Sequence, residues 1–382
     1  MNDLHGPPLA VRPHRAVAAV TLGALVVSGV LLRLASLRPG KVLGFPTYYR
    51  VFSTHSVLAL AAMPLFLLYF APVAKPDREL RWMLAALYAC GAVLVGLAMY
   101  SAKWPFGLGP LVMLVGVALF VWHIVRTQWR TPVGVVLAIA ATSLALGLAG
   151  VIVGLPSVMA PVAFLVAVTV LALPVFAQRS AGREVGGIGF LGAIGIYAVC
   201  VTVVRPWGVA ALLALPELIA GLVIGAVVFR TARNEATSWA RWLRRLEAIF
   251  FVEGLFLGAF LQTIADDIHL HDTLFPVAAA HFEAFVLLFA VVRGLDGASR
   301  SRLGWMGLGL AFLGAQVFGW GCAALGARGM PRAYAAYLEQ FNSLQAITSV
   351  ASFVMLVGLV VVILAHVVAA VRPAGAIAAH RG

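Results

Sequence analysis

The sequence predicts an all-α, polytopic membrane protein with twelve transmembrane helices, and three observations predict it. The chain of 382 residues is 63% hydrophobic and only 11% charged, so few positions remain for a water-facing surface. Apolar runs of about 20 residues, long enough to cross the hydrocarbon core, recur from end to end. The formal charge of +13 is carried mainly by short basic segments between these runs, which indicates membrane topology and not nucleic-acid binding.

The apolar segments define the expected domain organisation. Residues 17–370 are predicted to form a single twelve-helix transmembrane domain, with a short cytoplasmic arm at 1–16 and a cytoplasmic tail at 371–382. No separate soluble domain is expected. The segments lie near 17–36, 52–73, 81–101, 107–126, 132–153, 157–178, 187–204, 208–229, 246–265, 274–294, 304–325 and 343–368.

The basic residues predict the orientation. Most of the 27 Lys and Arg residues fall in the two termini and in every second loop, and the segment from Arg230 to Arg245 is the most basic. Because cytoplasmic loops carry the excess of Lys and Arg, both termini are expected on the cytoplasmic side. We expect a multi-pass protein surrounded by lipid, in a bacterial inner membrane.

Two of the nine histidines are the strongest candidates for a cofactor site. His55 and His281 fall at similar depth in the outer half of the second and tenth predicted helices, whereas no histidine occurs between 124 and 268. A neutral imidazole inside a membrane helix needs a partner, and heme iron is a common one. Two such ligands on opposite faces of a porphyrin give a low-spin, electron-carrying heme. The alternative is a pair of structural histidines with protein or water partners.

Three carboxylates also fall at predicted membrane depth, namely Glu217, Glu253 and Glu283. A carboxylate there is energetically costly and often functional. A proton path is one interpretation, and neutral, hydrogen-bonded side chains are the other.

Residues 271–285, which read HDTLFPVAAAHFEAF, resemble the tenth helix of subunit I of the heme–copper oxidases, of the cytochrome c oxidase type. The His-Asp-Thr run at 271–273 matches, and His281 then falls at the axial ligand of the family's low-spin heme. Ala279 replaces the ligand of the high-spin heme. An alternative alignment on the string AHF would make His281 the high-spin ligand and put Glu283 at the low-spin position.

Two segments near the start of the chain carry the same resemblance. LLRLASLRPG at 31–40 looks like the end of the family's first helix, which implies that Arg33 contacts the heme edge. YYRVFSTHSV at 48–57 looks like the start of its second helix, which implies that His55 is the second axial ligand.

Near the end of the chain, GMPRAY at 329–334 is similar to the family's GMPRRY loop. Arginines in that loop hold the heme propionates, so the resemblance implies this role for Arg332 and perhaps for Arg328. His271 and Asp272 match the family's outer-side magnesium ligands, although Asp272 could equally cap the tenth helix. The resemblance covers helices one, two and ten to twelve and is not traceable between them.

The departures from the family pattern change the expected activity. The family holds a copper ion with three histidines from helices six and seven, where this chain has no histidine, and copper requires imidazole or sulfur ligands. The resemblance therefore implies one bis-His, low-spin heme, of b type, with no copper and no oxygen-reducing centre. The chain would be no oxidase on its own but the membrane subunit of an oxidoreductase complex.

The expected partners are other subunits and an electron donor or acceptor such as a c-type cytochrome, a copper protein or a quinol. Two alternatives remain open. One is a non-redox membrane scaffold or assembly protein that keeps the fold. The other is a transporter or proton-conducting protein that uses the membrane carboxylates.

Overall fold

The computed structural model describes nine helical regions of the chain. Every regular element within them is helical, which confirms the all-α class. The residues described are 12–38, 41–52, 55, 78–100, 107–131, 214–263, 270, 273–331 and 338–371, with the isolated residues 138, 142, 145, 148, 149, 152 and 196.

The helices are numbered here in chain order. In the first half they are α1 (Arg12–Leu37), α2 (described at 45–52 and 55), α3 (Arg78–Tyr100) and α4 (Leu108–Gln128). In the second half they are α5 (Ala214–Thr231), α6 (Ser238–Thr263), α7 (Leu274–Arg293), α8 (Arg302–Ala327) and α9 (Asn342–Val371). Short 3-10 turns occur at Ala232–Asn234, Asp296–Arg300 and Glu339–Phe341.

Among the described residues, four helical stretches are long and apolar enough to cross a membrane, which indicates a membrane protein. They are Leu108–Thr127, Leu274–Arg293, Arg302–Ala327 and Glu339–Ala369. The count of twelve spans stays a prediction, because the segments near 132–153, 157–178 and 187–204 and most of 52–73 lie essentially outside the described residues.

The most basic segment of the sequence is largely helical, not an open loop. Helix α6 begins at Ser238, well before the apolar run predicted from 246, because its first turns are amphipathic. Thr237 caps this helix, since its Oγ1 accepts a hydrogen bond of 3.1 Å from the backbone N–H of Ala240. Arg244 and Arg245 therefore lie in the second turn of α6.

Helix α7 lies at the centre of the second half, between α6 and α8, and α8 packs in turn against α9. Small residues allow these helices to approach closely. A Cβ at Gly254 of α6 would lie 3.2 Å from the carbonyl oxygen of Ala279 in α7. Likewise, a Cβ at Gly314 of α8 would clash with the backbone of Met355 in α9.

Four charged side chains join the ends of α5, α6 and α7. Arg244 is fully buried and lies 3.0 Å from a carboxylate oxygen of Glu235 and 3.0 Å from one of Glu247. Arg293 reaches the same two carboxylates at 3.5 and 2.9 Å. Two cations and two anions thus form a neutral buried quartet.

The segment after α8 is fixed by backbone hydrogen bonds. Gly329 adopts a φ of +80°, which favours glycine, and its N–H donates to the carbonyl of Gly326. The N–H of Met330 donates to the carbonyl of Leu325, which completes a Schellman motif. The carbonyl of Met330 then accepts from the N–H of Leu274, so this segment docks on the start of α7.

Candidate metal centre between two histidines

The structure brings His55 of α2 and His281 of α7 together. Their ring centroids lie 6.2 Å apart and their planes differ by 17°. The two residues are separated by 226 positions (281 − 55) in the chain, so helix packing and not local sequence creates the pair.

The hydrogen bonds of each ring fix which nitrogen carries the proton. The Nδ1 atom of His281 lies 2.7 Å from the carbonyl oxygen of Val277, and a carbonyl only accepts, so this Nδ1 is the donor. Ser28 gives its hydroxyl proton to the carbonyl of Leu25 and therefore accepts from Nδ1 of His55 at 3.0 Å. In both neutral rings Nε2 keeps its lone pair, the form that binds a metal.

The separation of the rings equals that of two imidazoles bound to one metal atom with their Nε2 atoms facing each other. An imidazole nitrogen binds a metal at about 2 Å and lies about 1 Å from its ring centroid, so two trans ligands have centroids about 6 Å apart. The observed distance is 6.2 Å.

The donor set indicates which kind of metal group would fit. Within the described ranges, no group of three or more His, Cys, Asp or Glu side chains could hold a metal ion. A protein-only site of the zinc type needs three or four ligands. Two imidazole ligands alone suit a metal whose remaining ligands come from a macrocycle, as in a porphyrin.

Arg33 of α1 lies beside this pair and is only 9% exposed. Its Nη2 donates to the Cys322 thiol at 2.7 Å, and its guanidinium carbon lies 5.2 Å from the centroid of the Phe318 ring. None of the carboxylates in the described part of the chain pairs with it. Because a buried charge is costly without an opposite charge, Arg33 is suited to an anionic group supplied by a ligand.

Apolar residues surround the histidines. The Phe318 and Phe285 rings lie 5.0 and 6.2 Å from the His281 ring, centroid to centroid. On the other side, a Cβ at Gly29 would lie 2.9 Å from Cε1 of His55, so glycine allows that ring to approach α1. The site is therefore a low-dielectric one.

Ala279 and Glu283 contact a different helix. Ala279 is 4% exposed and Glu283 is fully buried, and both meet Gly254 of α6. A Cβ at that glycine would lie 2.7 Å from Cγ of Glu283. This face of α7 is thus used for close packing against α6.

The remaining predicted site residues are placed as follows. Arg328 is exposed and forms the C-cap of α8. Arg332, His271 and Asp272 lie outside the described residues, so their predicted roles stay predictions. The suggestion that Asp272 caps the tenth helix is wrong, because the N-cap of α7 is Thr273, whose Oγ1 accepts from the N–H of Phe275 at 3.2 Å.

Glu253, one of the three carboxylates expected at membrane depth, has two hydrogen-bond partners on a neighbouring helix. Glu253 of α6 accepts from the Gln316 amide at 2.8 Å and from the Trp320 indole at 3.2 Å, both on α8. The side chain of Glu217 is outside the described part of the structure.

Sequence reasoning missed the residues that support the histidines. The sequence predicted no functional role for Ser28 or Cys322, because a single serine or cysteine in an apolar helix belongs to no recognisable motif. Only their contacts with His55 and Arg33 mark them.

No protein-family model matches this chain, and no curated protein matches its sequence. The resemblance to the heme–copper oxidases therefore depends on the sequence motifs alone and stays an expectation.

Proposed function

We propose that this chain is a heme-binding integral membrane subunit for electron transfer, related to subunit I of the heme–copper oxidases. The observation that carries the proposal is the His55–His281 pair, with centroids 6.2 Å apart, nearly parallel rings and both Nδ1 atoms engaged in hydrogen bonds. One low-spin heme, of b type, would be held between the two Nε2 atoms.

Each residue then has a defined task. His55 and His281 would hold the heme iron through their Nε2 atoms, and their Nδ1 partners keep the rings in orientation. Arg33 supplies a cation for an anionic or polar group at the heme edge, and Arg332 and Arg328 are proposed partners of the propionates. Phe285 and Phe318 exclude water. When bound, the heme would supply one-electron redox chemistry.

The donor set also excludes the oxidase reaction by the family's mechanism. Ala279 offers no ligand for a second heme, and the interval from 124 to 268 contains no histidine for copper. The chain would pass electrons within a complex of other subunits. The external partner would be a c-type cytochrome, a copper protein or a quinol. His271 and Asp272 are kept as proposed magnesium ligands at the outer face.

A reduced-minus-oxidised absorption spectrum of the purified protein tests the proposal. We expect the bands of one low-spin b-type heme, which disappear in His55→Ala and in His281→Ala. His366→Ala is the matched control, because His366 accepts a hydrogen bond from Gly297 away from the pair, and it should keep the bands. A wild-type protein without heme bands would refute the proposal, whereas heme that no electron partner reduces would favour a scaffold or assembly protein.

The geometry of Glu253 favours a second candidate function, that of a proton-conducting protein. This half-buried carboxylate faces two neutral donors at membrane depth. Proton flux into proteoliposomes that vanishes in Glu253→Gln but persists in Glu79→Gln, at an exposed site at the start of α3, would support it. Equal flux in wild type and Glu253→Gln would exclude this carboxylate as a carrier.

A further inference from the structure

The start of α6 carries positive charge that the neighbouring carboxylates do not neutralise. Glu235 and Glu247 are both engaged by Arg244 and Arg293. Arg241 and Arg245, each half-buried, have no carboxylate partner in the described ranges.

The contacts of Arg241 and Arg245 leave hydrogen-bond donors available. Arg241 reaches only the backbone carbonyl of Glu235, at 3.5 Å, within the described ranges. The Nε atoms of both arginines are buried, so the donors left for an external anion are the Nη groups of these two partly exposed side chains. The two residues are four apart and therefore lie on the same side of the helix. They present two adjacent guanidinium groups.

Aromatic rings hold one of these guanidinium groups in place. The Arg245 guanidinium carbon lies 5.3 Å from the centroid of the Trp242 ring and 5.8 Å from that of Phe229 in α5. Such cation–π contacts restrict the side chain and leave its N–H groups free to bind an anion. Trp242 and Phe229 are 50% and 47% exposed, as expected of aromatic residues at a membrane boundary.

An exposed apolar stripe extends from this basic end along α6. Its residues are spaced by seven, seven and four positions, so they share one face of the helix. They are Trp242, Ile249, Phe256 and Phe260. A ligand that fits the whole surface therefore joins an anionic group to a long apolar chain.

We propose that Arg241 and Arg245 bind the phosphodiester of an anionic phospholipid, with its acyl chain along the exposed face of α6. Paired arginines suit phosphate oxygens, and basic clusters at the cytoplasmic boundary attract anionic headgroups. The inference requires that α6 crosses the membrane with its start at the cytoplasmic surface, and it is independent of the heme.

Native mass spectrometry of the full-length protein with added phosphatidylglycerol or phosphatidylcholine tests this site. We expect the double variant Arg241→Gln/Arg245→Gln to bind phosphatidylglycerol roughly thirtyfold more weakly. The matched control is Arg300→Gln/Arg302→Gln, which removes the same charge from exposed residues beyond the end of α7, at the same end of the bundle. The control should bind as the wild type does.

A second variant separates binding from misfolding. Trp242→Leu keeps both charges and removes the ring that supports Arg245, and it should weaken binding by about threefold. Equal losses in both double variants, unchanged binding in Arg241→Gln/Arg245→Gln, or equal binding of the two lipids would overturn the proposal. Displacement of phosphatidylglycerol by millimolar inorganic phosphate would also overturn it, because the site would then bind free phosphate.

Discussion

Arg244 and Arg33 are both buried guanidinium groups, and the polypeptide compensates their charges differently. Arg244 is fully buried and has carboxylate oxygens of Glu235 and Glu247 at 3.0 Å. Arg33 is 9% exposed, and its described polar side-chain contact is the thiol of Cys322. Carboxylates of the chain itself neutralise the first charge, whereas no carboxylate in the described ranges pairs with the second.

This difference indicates that Arg244 has a structural role, whereas Arg33 is suited to binding a ligand. A buried ion pair is costly to break, since removing one partner leaves the other charge buried without compensation. Under the proposed function, a buried charge without a carboxylate partner in the described ranges, next to the two proposed heme ligands, is suited to an anion that would arrive with the heme. Substitutions at Arg244 and Arg33 test this contrast directly, and substitutions at Ser28 and Gly29 test the histidine site beside Arg33.

The largest expected effect is a loss of stability when the buried ion-pair quartet loses Arg244. Arg244→Met should lower the free energy of unfolding by about 3–5 kcal/mol, because the two buried carboxylates would retain only Arg293. Thermal or denaturant unfolding in detergent measures this loss. Arg300→Met, at an exposed arginine, should change stability very little. A loss of the same size in both variants would contradict the assignment.

Arg33→Met should instead leave stability nearly unchanged and weaken heme binding. Removing a buried cation without a carboxylate partner should leave the heme-free protein within about 1 kcal/mol of the wild type. Heme affinity, measured by titration into the heme-free protein, should fall by about tenfold, as expected for the loss of one charge-assisted contact. A destabilisation equal to that of Arg244→Met would show that the counter-charge of Arg33 lies within the polypeptide.

Ser28→Ala removes the acceptor that holds Nδ1 of His55. Loss of such a supporting hydrogen bond typically lowers metal affinity by about tenfold or more, and we expect the lower end of that range. Ser36→Ala is the matched control, since the Ser36 hydroxyl donates only to the backbone carbonyl of Arg33 in the same helix. Heme titration of the two variants should therefore differ, and identical affinities would remove Ser28 from the site.

The smallest expected effect is that of Gly29→Ala. The new methyl group would lie 2.9 Å from the His55 ring, so the ring must shift and heme affinity should fall by a few fold. Gly23→Ala in the same helix meets nothing within 4 Å and should leave heme affinity unchanged. A heme affinity in Gly29→Ala equal to that in Gly23→Ala would show that the ring has room to move.

Local patterns predicted much of this protein. Hydropathy and length identify a helical membrane protein, and the predicted segments near 274–294, 304–325 and 343–368 match α7, α8 and α9 within a few residues. The length and apolar content of a segment indicate whether it favours lipid over water. This preference depends almost entirely on the segment's own residues. The same logic failed at the start of α6, where an amphipathic helix extends beyond the apolar run.

The sequence by itself determined that His55 and His281 occur in apolar segments, and that no histidine lies within the long interval from 124 to 268. It did not determine which side chains face one another. The 6.2 Å approach of the two rings, the contact of Arg33 with Cys322 across 289 positions and that of Arg293 with Glu247 across 46 positions depend on how separate helices rotate and pack. Tertiary structure decided these features, because a contact between two helices depends on the residues of both segments and on how the helices pack. The residues of one segment alone do not specify it.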